Sequence, residues 1–214
     1  MKSVNKPGWL IAFLFVCINM QFVSAQSKTD VLNDRSVEIT WLGLDFSQTK
    51  FIGSATQFKD AGEITNEDFR DKFTTAWNQL FIDESKKFNV AEMVNRPEVK
   101  YSIDVAEKAN SILKKDFFSN NPSDFKTIDE KKIADLVKNY DFLGKTGVGL
   151  LFFVEGMSKG QEQAAAWVTL VDMKTKKVIF TTYKTGKSGG IGFRNYWAKS
   201  WYNILKETKS DFKK

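Results

Sequence analysis

Runs of apolar residues define the second half of the chain. Residues 147–154 form a run that is too short to cross a membrane and rich in branched and aromatic side chains, which predicts a buried strand. Residues 164–172 and 177–182 flank the turn-like residues 173–176, and this order predicts a β-hairpin. A glycine-rich link, residues 184–192, would lead into a final helix. Spacings of three and four residues place on one face of that helix Phe193, Tyr196, Trp197, Ser200, Trp201, Ile204 and Leu205.

The pattern before this region starts with a strand. Residues 37–46 alternate between apolar and polar types and then become apolar, which predicts a strand that passes from the rim to the middle of a sheet. A long polar loop around Gly53 and Gly62 would follow. The capping box at residues 65–68 then predicts the start of a long helix.

Shorter elements are expected between this helix and the apolar run at residue 147. Alternation predicts short strands at residues 88–94 and 99–103. From Asp104 the spacing becomes helical, and it predicts a helix with an apolar face formed by Val105, Ala109, Ile112 and Leu113. A second capping box starts a helix at residues 127–140, and Gly144 would close it in a left-handed conformation.

The order of elements predicts the α/β (α+β) class. We expect a single layered domain at residues 37–208, in which a mixed central sheet with a C-terminal β-hairpin is covered by helices. A flexible leader at residues 26–36 and a polar tail at residues 209–214 would flank it.

The amino terminus has the order of a secretory signal peptide. Lys2 and Lys6 precede an apolar segment at residues 9–18, and small residues end at Ala25. The alternative is an anchoring helix, but the apolar segment is shorter than the roughly 20 residues that a bilayer span requires. We therefore expect cleavage after residue 25, no transmembrane span afterwards, and a periplasmic or secreted location.

The composition narrows the possible chemistry. The only cysteine, Cys17, lies in the predicted signal peptide, and the chain contains no histidine. The trimmed chain would therefore have no disulfide, no thiolate nucleophile and no imidazole base or ligand. We predict no metal and no cofactor, and carboxylates, lysines, tyrosines and hydroxyls remain as reactive groups.

The charge favours a solvated surface. The chain has 32 basic and 26 acidic residues, and removal of residues 1–25 takes away Lys2 and Lys6, which lowers the net charge from +6 to +4 (30 minus 26). Because lysines and acids are interleaved, we expect no nucleic-acid partner.

Two carboxylates end predicted strands. Asp45 and Asp172 could meet across adjacent strands and hold a cation or share acid and base roles. The favoured alternative is local, because aspartate readily bonds nearby backbone amides at the start of a loop or turn.

The glycine-rich link suggests an anion site. Residues 186–188 resemble the end of a P-loop, but Thr181 stands where that motif needs its first glycine, so no nucleotide site is predicted. Backbone amides and a lysine at a helix start could still attract an anion. The alternative is a plain connection with a serine near the helix cap. The residues of this hypothesis are Lys187, Ser188, Gly189 and Gly190.

Most aromatic residues fall at core positions of predicted elements. Arg194 and Tyr202 lie off the apolar stripe of the last helix, and exposed Arg and Tyr often anchor interfaces. These two residues are the candidates for contact with a partner.

The hairpin at residues 167–180 is similar to one found in a periplasmic superfamily. That superfamily includes the amino-terminal domain of the translocation protein TolB, the curli-secretion lipoprotein and the lipoprotein activators of penicillin-binding proteins. Asp172, Thr175 and Phe180 match its aspartate at the turn, threonine within it and aromatic residue on the returning strand. The first strand, ending at residues 45–46, and the long helix after it also resemble this group.

The resemblance implies a non-catalytic envelope domain that docks other proteins. The chain lacks the lipidated cysteine of the lipoprotein members and the long alternating segments of a curli-type pore. No catalytic residue is carried over.

We therefore expect an exported, non-catalytic protein that binds an envelope protein or a peptidoglycan-associated partner, in an oligomeric state that the residues leave open. The alternatives are a carboxylate- or Ser/Lys-dependent hydrolase and a small-ligand carrier. A deep cleft with converging polar groups would favour catalysis, and a closed apolar cavity would favour carriage. A shallow apolar patch or an unpaired sheet edge would favour docking.

Overall fold

A computed structural model describes residues 27–53, Gly62 and 64–212. The predicted signal peptide with Cys17 lies outside the described residues, as do residues 54–61 of the predicted loop. Within these described ranges, no helix has the length and apolar character needed to cross a bilayer.

Helices and strands alternate along the first half of the chain, and strands dominate the second half. The helices are α1 (Lys28–Asn33), α2 (Thr74–Asp83, continuing the π-helix Asp68–Phe73), α3 (Val90–Met93), α4 (Asp104–Ser111), α5 (Glu130–Asn139) and α6 (Phe193–Thr208). The strands are β1 (Ile39–Asp45), β2 (Lys50–Ile52), β3 (Lys100–Tyr101), β4 (Phe118–Ser119), β5 (Val148–Ser158), β6 (Gln163–Asp172) and β7 (Lys177–Lys187). Short 3₁₀ turns occur at Pro122–Phe125 and Lys209–Phe212.

The sheet is built around β5. On one side, β1 pairs with β5 in parallel up to Asp45 opposite Phe153, and β2 resumes the pairing from Lys50 opposite Gly156. The segments β1 and β2 thus act as one strand with an interruption, and β3 and β4 pair in parallel with their outer edges. On the other side, β6 is antiparallel to β5, and β7 is antiparallel to β6. The predicted α/β class with a mixed sheet is confirmed.

Helices cover both faces of this sheet because both faces are apolar. Leu150 and Phe152 of β5 join a core with Trp201 of α6. Leu151 and Phe153, which point to the opposite face, join a second core formed with α4 and α5. The predicted stripe of α6 is confirmed, since its members are all buried: Phe193, Tyr196, Trp197, Ser200, Trp201, Ile204 and Leu205.

The predicted hairpin is confirmed, but its second strand is longer than expected. Strand β7 continues to Lys187, so the assignment of residues 184–187 to the link was wrong. The physical reason is Gly186, where a Cβ atom would lie 2.3 Å from the carbonyl oxygen of Ser200. This glycine permits close contact between β7 and α6 rather than a loop.

Three other local predictions were wrong. Residues 88–94 contain helix α3 instead of a strand, because the Asn89 side chain accepts a hydrogen bond from the Glu92 amide and caps a helical turn. Helix α5 is capped by Asp129 rather than by the hydroxyl of Thr127. It ends at Asn139, so Gly144, with φ 73°, lies in the turn beyond it.

The leader also differs from the prediction. Ser27 and Asp30 form a capping box that starts α1, and Val31 and Leu32 are buried. The buried guanidinium of Arg96 ties this segment to the domain. It donates hydrogen bonds to the carbonyl groups of Val31, Asp34, Val37, Val94 and Asn95.

The predicted polar tail includes a core residue. Phe212 is buried and meets the ring of Phe180 edge-on, with centroids 5.8 Å apart. The core therefore extends beyond the end of α6, up to residue 212.

Candidate binding groove

The site begins where β1 ends. At the outer edge of β1, where a neighbouring strand would pair, two buried asparagine side chains bind the backbone instead. Asn78 accepts from the Leu44 amide at 2.7 Å and donates to the Leu44 carbonyl at 3.1 Å. Asn110 donates to that carbonyl at 2.9 Å and accepts from the Phe46 amide at 2.8 Å. An asparagine amide can do this because it carries both donors and an acceptor, as a peptide group does. These bonds hold α2 and α4 against the end of β1.

Gly43 makes this arrangement possible. It has φ 112° at the point where the pairing of β1 with β5 shifts register, and a Cβ atom would lie 2.5 Å from Oδ1 of Asn78. A side chain here would push the amide away from β1.

A groove of about 410 Å³ lies between α4 and α5, above the end of β1. Its rim carries exposed charges, including an ion pair of 2.9 Å between Lys108 and Asp141. Ile112 at its edge is 71% exposed, so the groove opens to solvent. Helical spacing grouped Ile112 with buried residues, but α4 ends at Ser111 and Ile112 points outwards. The apolar lining consists of Val105, Ala109, Ile112, Leu113 and Leu136.

A buried pair forms the polar floor of the groove. The Tyr140 hydroxyl donates to Oδ2 of Asp45 at 2.6 Å, and the Ser47 amide donates to Oδ1 at 2.8 Å. Burial raises the pKa of Tyr140 well above its ordinary value, and the charge of Asp45 adds to this. The tyrosine therefore keeps its proton at neutral pH, and both oxygens of Asp45 have donors.

Lys115 fixes the segment between β1 and β2. Its ammonium group donates to the carbonyls of Ser47 at 3.0 Å and Thr49 at 2.7 Å. Burial lowers the pKa of Lys115 to about 8, the charge of Lys50 acts in the same direction, and Asp45 opposes both. Lys115 thus fixes the backbone on both sides of Gln48, between β1 and β2.

The two candidate carboxylates do not form a pair. Asp45 pairs with Phe153 and Asp172 with Val148, on opposite sides of β5. Five residues along a strand correspond to about 16 Å. Asp172 accepts from the amides of the turn after it at 2.9 and 3.0 Å, so its predicted local role is confirmed. Within the described ranges, no cluster of three or more metal-binding side chains occurs.

The glycine-rich link uses two of its amides internally. Ser188 donates its amide to the carbonyl of Glu162 at 2.8 Å, and Gly189 donates to that of Tyr196 at 3.0 Å. Lys187 is exposed at the end of β7. The amides of Ser188 and Gly189 are therefore not available as donors to an anion. The anion site itself stays a prediction.

Arg194 and Tyr202 lie away from the groove. Both are half-buried on α6, which packs on the other face of the sheet. Eight helical residues separate them by about 12 Å along the axis. The Tyr202 ring lies near the ammonium groups of Lys199 and Lys206, at 4.9 and 5.2 Å. Their role in binding a partner stays a prediction.

No protein-family model, curated protein or solved structure matches this chain. Membership of the TolB-like superfamily therefore stays a prediction from the hairpin residues.

Proposed function

We propose that this protein is an exported, non-catalytic binding protein of the cell envelope, and that the groove between α4 and α5 holds an apolar segment of a partner protein. The observation that carries the proposal is the contrast between the polar and the apolar groups of the groove. Its buried polar groups already have hydrogen-bond partners, whereas its apolar lining reaches solvent at Ile112.

The groove has the anatomy of a protein interface. Apolar side chains line its centre, and the exposed charges of Lys108, Lys132, Asp135 and Asp141 surround them. Protein interfaces commonly have a desolvated apolar centre and a polar rim. Covering an exposed isoleucine contributes about 1.5–3 kcal/mol.

The floor of the groove supports binding rather than conversion. A general acid or base needs a free proton position and a pKa near the working pH. The carboxylate of Asp45 has a donor on each oxygen, and the pKa of Tyr140 is raised. Carriage of a small ligand is less favoured, because the groove is open at Ile112 rather than closed over.

Crosslinking from the groove can identify the partner. A photoreactive amino acid at position 112 of the full chain should give one main crosslinked protein in the native cell, to be identified by mass spectrometry. Affinity for that purified protein should then fall at least tenfold in Ile112→Asp. The matched control is Ile191→Asp, since Ile191 is 89% exposed and outside the groove.

Two results would contradict the proposal. Equal affinity of the Ile112→Asp and Ile191→Asp variants would show that the groove is not the interface. Turnover of purified peptidoglycan that Ile112→Asp abolishes would favour the hydrolase alternative. Export is tested separately, since the mature protein should begin at Gln26 by amino-terminal sequencing.

A further inference from the structure

We propose that the free edge of β7 binds an extended acidic segment of another protein, which adds to the sheet as a further strand. This inference is independent of the groove between α4 and α5.

The strand β7 is the edge of the sheet. Within the part of the chain that the structure describes, its only strand partner is β6. It is eleven residues long, which is enough to pair with a strand of ordinary length. An edge of this length offers a template for main-chain hydrogen bonding.

Hydrogen bonds at one end of β7 show which backbone groups face outwards. The Ser188 amide donates towards β6, to the carbonyl of Glu162. The Lys187 carbonyl points the other way, where it accepts from the side chain of Asn203 at 2.7 Å. Because these directions alternate along an antiparallel strand, the amide and carbonyl groups of Thr185, Tyr183 and Thr181 face the free edge.

These outward groups are available for a partner. Among the described residues, none forms a hydrogen bond to the backbone of Thr181, Tyr183 or Thr185 outside the pairing of β7 with β6. A groove of about 570 Å³ is lined by residues 183–187 of β7, by Gln163 of β6, and by Asn203 and Glu207 of α6. It leaves open space next to the last residues of β7.

The charge of the edge selects the kind of segment. β7 contains Lys177, Lys184 and Lys187 and no acidic residue. Lys184 forms an ion pair of 2.7 Å with Asp211, and Glu207 lines the groove, so the positive charge of the edge comes from Lys177 and Lys187. The Lys126 ammonium group adds another positive charge, 4.4 Å from the centre of the Tyr183 ring. Opposite charges across a strand pair stabilise it, and like charges destabilise it. An acidic strand matches these charges, whereas a second copy of β7 adds further lysines and no acidic residue.

The test uses a fluorescein-labelled peptide of alternating valine and glutamate, with a valine–lysine peptide as the charge control. Fluorescence anisotropy with the full chain should show binding of the glutamate peptide only. Thr185→Pro removes an outward amide and leaves the bonds to β6 in place, so affinity should fall at least tenfold. Thr185→Ala, which keeps the amide, should stay within twofold of the native protein.

A second pair of variants leaves the backbone unchanged. Lys187→Glu should weaken binding at least fivefold, whereas Lys131→Glu on the exposed surface of α5 should not. Ile112→Asp should have no effect, which separates this proposal from the groove. Equal binding by Thr185→Pro and Thr185→Ala, or equal binding of both peptides, would overturn it. Self-association that Thr185→Pro abolishes would also overturn it in favour of a second copy.

Discussion

The hydroxyl of Tyr140 donates a hydrogen bond of 2.6 Å to Oδ2 of Asp45 and thereby joins the end of α5 to the end of β1. Asp45 is fully buried, and its other oxygen accepts from the Ser47 amide. The pair sets the distance between the helix and the strand that border the groove. Together with the Ser47 amide, the Tyr140 hydroxyl gives each oxygen of the buried carboxylate a hydrogen-bond donor.

Tyr140→Phe should destabilise the protein because it leaves one oxygen of a buried carboxylate without a donor. A hydrogen bond to a charged group contributes about 1.5–3 kcal/mol, and we expect a loss of this size in the free energy of unfolding, measured by urea denaturation. The matched control is Tyr202→Phe, since the hydroxyl of this half-buried tyrosine forms no hydrogen bond with another described residue. Similar losses in both variants would contradict the assigned role.

Lys115 should make the free energy of unfolding depend on pH in the alkaline range. Its pKa is about 8 in the folded protein and 10.5 ordinarily. Between these values the unfolded chain holds the proton that the folded protein has released, so stability rises with pH, by at most about 1.4 kcal/mol per pH unit. Lys115→Met removes this contribution. Its unfolding free energy should therefore fall progressively below that of the native protein from pH 8 to 10.5, and a constant difference would contradict the lowered pKa.

Strong periodicity made the C-terminal half predictable. The stripe from Phe193 to Leu205 repeats often enough to specify both a helix and its buried face. The antiparallel order of β5, β6 and β7 followed from the apolar runs of β5 and β6 and from the aspartate at the turn between β6 and β7. In each case, many residues carried the same signal.

The groove could not be predicted, because its parts depend on distant contacts. β2 and β4 are three and two residues long, too short for a repeating pattern. Asn78 and Asn110 read as ordinary polar residues of helices, yet they bond to β1 over 34 and 66 positions of sequence. Ile112 fitted the helical spacing but follows the end of α4. The only sequence signal for the exposure of Ile112 is that this apolar residue lies beside a helix end.

Arg96 should be essential for anchoring α1. Arg96→Met removes the donors of several carbonyl groups, and buried groups without partners cost about 1–3 kcal/mol each. We expect faster trypsin cleavage after Arg35, which follows α1, together with a lower free energy of unfolding. Lys100→Met, at an exposed lysine, is the control. An unchanged cleavage rate would show that Val31 and Leu32 hold α1 without the guanidinium group.

Gly186 should be the least replaceable glycine of the region after residue 180. A Cβ atom here would lie 2.3 Å from the Ser200 carbonyl, and backbone cannot yield as a flexible side chain does. Forcing extra atoms into such a contact costs about 1–3 kcal/mol or more, so Gly186→Ala should lower the urea midpoint. Gly189→Ala is the matched control, because no atom lies within 4 Å of the added Cβ. If both variants unfold at the same urea concentration, β7 and α6 can separate freely, and the close contact that extends β7 to Lys187 would not be required.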